Sequence, residues 1–99
     1  MSLFAFLTKC ESDERLVIEV LIGYVHGSHM RYSMRDVAHD VTRALTAHGH
    51  VLTGALLTGV HARLTDCLDR MTRDDHEKAH ILQYAILTRA LLHEVRNDG

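Results

Sequence analysis

The sequence has no proline and no tryptophan, only two cysteines, and no apolar run of the length that crosses a bilayer. Each shortage excludes something. Without proline, nothing in the chain forbids a long helix. With 5% aromatic residues, the stacking platforms that hold single-stranded nucleic acid are poorly supplied. Two cysteines as far apart as Cys10 and Cys67 are not a disulfide framework. A membrane span needs about 18–20 apolar residues, and no segment approaches that. The apolar opening Leu3-Phe4-Ala5-Phe6-Leu7 is too short for the core of a signal peptide and has no basic flank before it. The expectation is a soluble, cytoplasmic protein with both thiols reduced.

Charge of one sign is also scarce. The net charge is −2 with histidine neutral, 24% of residues are charged and 46% are apolar. Disordered chains combine low hydrophobicity with high net charge, and this chain does neither. Binders of nucleic acid need clustered positive charge. Here Arg31, Arg35, Arg43, Arg63, Arg70 and Arg73 are interleaved with Asp36, Asp40, Asp66, Asp69, Asp74 and Asp75, as on ordinary solvated helix faces. Histidine, by contrast, is abundant. Protonating all nine would carry the net charge from −2 to +7, so solubility and self-association should depend on pH below neutrality.

The 99 residues are one domain's worth of chain. Gly27-Ser28-His29-Met30 spells the remnant left when a cleavable histidine tag is removed, and it is equally readable as a native turn. The first reading divides the chain into an apolar helical segment over 1–26, a junction over 27–30 and a helical domain over 31–99. Residues 1–26 would then be a fused partner piece tethered to the domain it binds.

Helix is expected through most of the chain. Ser12 before Asp13 and Glu14 reads as an N-cap followed by acids suited to the positive end of a helix. The β-branched run Val17, Ile18, Val20 and Ile22 leaves open a hairpin turning at 26–29 and returning through Met30-Arg31-Tyr32. Ser33-Met34-Arg35-Asp36 has the form of a capping box, and Met34, Val37, Val41, Ala44 and Leu45 follow at helical spacing. Gly49 suits the left-handed position after a helix. The next apolar stripe is Leu52, Leu56, Val60, Leu64, Cys67 and Met71, with Ala55 and Gly59 spaced to admit a close neighbour. Thr72-Arg73-Asp74-Asp75 repeats the capping-box form. Beyond it Ile81, Tyr84, Thr88, Leu91 and Val95 make one stripe, with Leu82, Ile86 and Leu87 outside it. These signals predict helices near 12–25, 33–47, 50–71 and 74–96 after a short helical or frayed start at 3–9. The fold class expected is an all-α bundle of three to four helices, completed by another chain.

Few motifs carry chemistry. His76-Glu77-Lys78-Ala79-His80 has the H-E-x-x-H spacing that places two imidazoles one helical turn apart, with the glutamate as general base. It resembles the zincin metalloprotease motif, which would imply zinc held by His76 and His80. The departures weigh against that reading. Lys78 puts a cation where that family has an uncharged residue, and Gln83 and Ile86 stand where the extended motif needs Gly and His. His61-x-x-x-x-Asp66 with His76 and His80 resembles the ligand spacings of hemerythrin-like di-iron bundles, but in the reverse order. Cys67 lies on an apolar stripe and reads as a small buried hydrophobe. Cys10 beside Lys9 is weakly suggestive of a lowered thiol pKa. There is no phosphate-binding glycine loop, nucleophile elbow or C-x-x-C. Catalysis, a metal and a cofactor are therefore not expected.

Apolar surface exceeds what a small bundle hides. Residues 16–25 are apolar nearly all round and 81–92 on two faces. A helix of a monomeric bundle buries a stripe roughly 100° wide, and large uncovered patches are rare. The reading adopted is a non-catalytic helical interaction module, an adaptor or small subunit that binds a helix of its own copy or of a partner. Val17, Leu21, Tyr24, Leu82, Ile86 and Leu87 are its expected contact residues. The alternatives are a small DNA-binding regulator, built on helices joined tightly at Gly49, and a zinc metallohydrolase using His76, Glu77 and His80.

Overall fold

The structure, a computed structural model, describes residues 3–27 and 31–98. Among them every regular element is a helix: α1 (Leu3–Thr8), α2 (Ser12–His26), α3 (Met34–Ala47), α4 (Gly54–Arg70) and α5 (Lys78–Asp98). The expectation of three to four helices is corrected to five, because the apolar opening forms a helix of its own. Ser28, His29 and Met30 lie outside the described residues. The hairpin alternative is not realised among those described. α2 stays helical through Tyr24, and residues 31–33 form no strand.

Local chemistry accounts for most of the boundaries. The N-cap of α2 is Glu11 rather than Ser12, and its backbone N–H donates to Glu14 Oε1 at 2.9 Å. The Ser33 box forms as expected. Asp36 N–H donates to Ser33 Oγ at 3.2 Å and Ser33 N–H to Asp36 Oδ2 at 3.1 Å, which satisfies donors that a helix start otherwise leaves open. α3 ends as expected at Gly49, whose φ is +78°. Gly49 N–H donates to Thr46 O at 3.1 Å and His50 N–H to Leu45 O at 2.8 Å, the paired bonds of a Schellman exit.

That exit uses residues 48–50, so α4 starts four residues later than expected. Thr53 caps it by accepting from Leu56 N–H at 3.1 Å. α5 also starts late. Thr72–Asp75 does not open the helix; Asp75 Oδ1 accepts from Glu77 N–H at 3.0 Å. This local Asx-type bond competes with helix, and residues 72–77 stay outside the helix, with turns at 73–74 and 76–77.

α4 packs chiefly on α5, while α2 contacts α3, α4 and α5. The core combines Val17, Ile18 and Leu21 of α2 with Val37, Val41 and Leu45 of α3. Leu57, Val60, Leu64 and Cys67 of α4 and Ile81, Tyr84 and Leu91 of α5 complete it, with Phe6 from α1. The stripes read for α3 and α5 are the buried ones. On α4 the face is turned slightly, because Leu57 is fully buried while Leu56 and Leu52 are only partly covered. Gly59 meets α2, and a Cβ there would stand 3.6 Å from Glu14 Oε2. Ala55, its expected companion, is exposed. The Cα radius of gyration is 12.9 Å, against about 13 Å for a compact chain of this length. The sequence boundary at 26/31 thus falls between two helices that share one core.

Candidate interaction surface

Once α2, α3, α4 and α5 have closed on each other, the outer line of α5 remains uncovered. Leu82 is 49% exposed and Ile86 58%. They lie one turn apart on the same side of the helix, opposite Tyr84, Thr88 and Leu91. Each forms the wall of an open cleft. Ile86 and Leu87, with Tyr24, Val25, Gly27, Tyr32 and Gln83, line one of about 340 Å³. Leu82, with Leu68, Asp69, Arg73, Asp75, Lys78 and Ala79, lines one of about 490 Å³. The α5 ridge therefore runs between two hollows.

The expected contact residues divide. Leu82 and Ile86 face outward, and Leu87 is partly buried on a cleft wall. Val17 and Leu21 are fully buried in the chain's own core, which leaves neither of them surface for a second chain in this fold. Tyr24 is also buried, with one edge reaching the cleft. The surplus apolar surface read from residues 16–25 is largely spent internally: Leu16, Val20, Ile22 and Val25 are partly buried against the same core. The small α1 exposes Phe4, at 77%.

Polar groups fix the cleft beside Ile86. Tyr24 Oη donates to Asp40 Oδ2 on α3. Burial, then that hydrogen bond, pushes the Tyr24 phenol up to about 12. The Tyr24 and Tyr32 ring centroids stand 4.9 Å apart and tilted. Tyr32, Val25 and Gln83 did not figure in the sequence reading of this surface. Their only signal there was position, since nothing local tells residues 24 and 32 that 83 and 86 will join them.

Histidines meet in a way the sequence motifs do not describe. His76 lies in the turn before α5, so His76 and His80 do not share a helix face as the H-E-x-x-H reading required. Glu77 is engaged elsewhere, its carboxylate accepting from Leu3 N–H. His80 instead packs edge-on against His26, with centroids 4.5 Å apart. His26 Nε2 and Tyr84 Oη share a hydrogen bond of 2.6 Å. No group of three or more His, Cys, Asp or Glu side chains suited to a metal occurs among the described residues. His76, Glu77 and His80 therefore lack the shared helical turn that the zincin-like motif requires.

The cysteines share a small cleft of about 60 Å³ with Phe6, Lys9, Arg63, Asp66 and Arg70. Burial raises both thiol pKa values; at Cys10 the Glu14 charge adds to this, while Arg63 and Arg15 oppose it without reversing it. The lowered pKa suggested by Lys9 is reversed. Cys67 is a buried apolar group, as its stripe implied.

The consecutive helices α3 and α4 pack chiefly on α2 and α5, not on each other, whereas a helix-turn-helix docks its second helix on its first. Among the described residues no helix is long and apolar enough to cross a membrane. No protein-family model matches the chain, and no curated protein or solved structure matches it.

Proposed function

We propose that this chain is a non-catalytic helical interaction module whose contact surface is the outer line of α5, carried by Leu82 and Ile86 with Leu87 beside them. The observation that supports the reading most is the placement of two large aliphatic side chains one turn apart on a folded helix, each about half exposed and each bordering an open cleft. Covering the exposed part of either would contribute about 1 kcal/mol, so a partner gains from this line of residues without disturbing the core. The cleft beside Ile86 adds an apolar wall from Val25 and Leu87 and hydrogen-bonding groups from Tyr32 and Gln83. That mixture of apolar centre and polar rim suits protein contact.

The test is photocrosslinking in cells, with a benzophenone amino acid placed at Leu82, at Ile86 or, as a control, at the exposed Glu19 of α2. Adducts of discrete mass at Leu82 and Ile86 but not at Glu19 are expected. Absence of adducts at both positions would overturn the reading.

A further inference from the structure

We infer that Cys10 and Cys67 are a reversible redox latch, in which a disulfide between them clamps α1 onto α4.

The chain has only two cysteines, and the fold brings both, buried, to one seam. Phe6 and Cys10 stand on one wall of the cleft of about 60 Å³, and Arg63 and Cys67 on the other. Cys10 is 7% exposed and Cys67 3%. Small buried hydrophobes have the whole core to occupy, yet this pair shares one narrow place. The backbone keeps the two walls together. Glu14, four residues after Cys10, is bound to Arg63, and Arg63 lies one turn before Cys67 on the same face of α4. A charge on Cys67 also bears on the Cys10 thiol, an influence that fades beyond roughly 10 Å.

The part that moves is α1. It makes none of the extensive helix–helix contacts of the bundle, and Phe6 is its one buried residue. Elements with few buried contacts open locally at less cost than global unfolding. When α1 lifts, Cys10 Sγ gives up its bond to Phe6 O at 3.5 Å and both sulfurs meet solvent. The reaction is slow because it waits on that opening.

The oxidant is a small external disulfide, such as oxidised glutathione. The Cys10 thiolate attacks one of its sulfurs, forming a mixed disulfide and releasing one glutathione thiolate. As α1 settles back, the Cys67 thiolate attacks the Cys10 sulfur of the mixed disulfide and the second glutathione leaves. Two electrons pass from the cysteines to glutathione, and the two thiol protons end on the two glutathiones released. The new bond closes a loop of more than half the chain, a cross-link that restricts the unfolded state strongly, and it holds α1 down over Phe6.

The experiment equilibrates the full chain with mixtures of oxidised and reduced glutathione, quenches with acid, and counts thiols by alkylation and intact mass. The wild-type chain should lose both thiols together, stay monomeric, and yield a Cys10–Cys67 peptide that reductant removes. Cys10→Ser and Cys67→Ser should each stop at a glutathione adduct. Whatever the bridge gives the fold, the fold gives the bridge, so its equilibrium constant should be about tenfold or more higher in native buffer than in urea. Hydrogen exchange should slow in α1 on oxidation and stay unchanged in α3.

A chain that keeps both thiols in excess oxidised glutathione, or carries glutathione on them without bridging, overturns the inference. So does a bridge that forms only between chains, or one that is no more favourable in native buffer than in urea. A bridge that leaves exchange in α1 unchanged overturns the latch.

Discussion

Glu14 and Arg63, 49 residues apart in sequence, meet between α2 and α4, with Arg63 Nε donating to Glu14 Oε2 at 2.8 Å. The glutamate side chain is 9% exposed and the arginine 42%. The same carboxylate accepts from Glu11 N–H at the helix start and faces Gly59. One buried acid thus ties the N-terminus of α2 to the middle of α4, and its hydrogen bond, then its charge, raises the pKa of Arg63.

Removing the cation should strand that acid. Arg63→Ala is expected to cost about 1–3 kcal/mol, the range for leaving a buried polar group unsatisfied, as read by urea unfolding. The double variant with Glu14→Ala should cost less than the sum of the singles, because it leaves no unpaired carboxylate. A loss below about 0.5 kcal/mol for Arg63→Ala, the scale of an ordinary surface change, would show that solvent serves the acid equally well.

Gly49 and Gly23 should respond in opposite directions to alanine. Gly49 has φ +78°, and nothing lies within 4 Å of where a Cβ would stand, so Gly49→Ala should cost roughly 1–2 kcal/mol from backbone conformation alone. Replacement by D-alanine through chemical ligation should not. Gly23 lies inside α2 with open space beside it, so Gly23→Ala should stabilise by roughly 0.5–1 kcal/mol. Thermal unfolding of the three proteins reads both. Equal effects of L- and D-alanine at Gly49 would refute the Schellman geometry.

Alkaline titration should isolate Tyr24. Its phenol is raised from 10.0 to about 12, first by burial and then by Asp40. Above the unfolded value the unfolded chain releases a proton that the folded chain keeps, so stability falls with rising pH. This contribution is fully present below pH 10 and is lost as pH rises through about 12. Tyr24→Phe should remove the phenolate absorbance transition at about 12 and flatten the loss of stability. Asp40→Asn should shrink the shift but not abolish it, since burial is the larger cause. A transition at about 12 that persists in Tyr24→Phe would assign it elsewhere.

The thiols should be inert while the chain is folded. Burial is the first cause of the raised pKa at both Cys10 and Cys67, and the thiolate is the reactive form. Alkylation by iodoacetamide at pH 8 is expected to be slower by about tenfold or more in the native protein than in urea. Rapid native labelling of Cys10 would mean that α1 opens readily.

Much of the fold is legible along the chain because it is written in local terms. The Ser33 and Asp36 pair, the glycine exit at Gly49 and the periodicities of α3 and α5 act within one or two turns, and each is found where those patterns place it. The late starts of α4 and α5 were also decided locally. There, however, the Schellman exit and the Asp75 bond competed with helix, and spacing alone does not weigh one backbone bond against another.

What covers each face was decided only by tertiary structure. Val17, Leu21, Leu82 and Ile86 are alike in residue type and periodicity. The first two are sealed because α2 lies among three helices, and the last two stand outside because α5 has neighbours on its other side. The same holds for His26 with Tyr84 and His80, for Tyr24 with Asp40, and for Glu14 with Arg63. A helix's sequence sets which side chains share a face. Which faces meet depends on how all five helices close on one core, a sum over contacts between distant residues that leaves no mark at any single position.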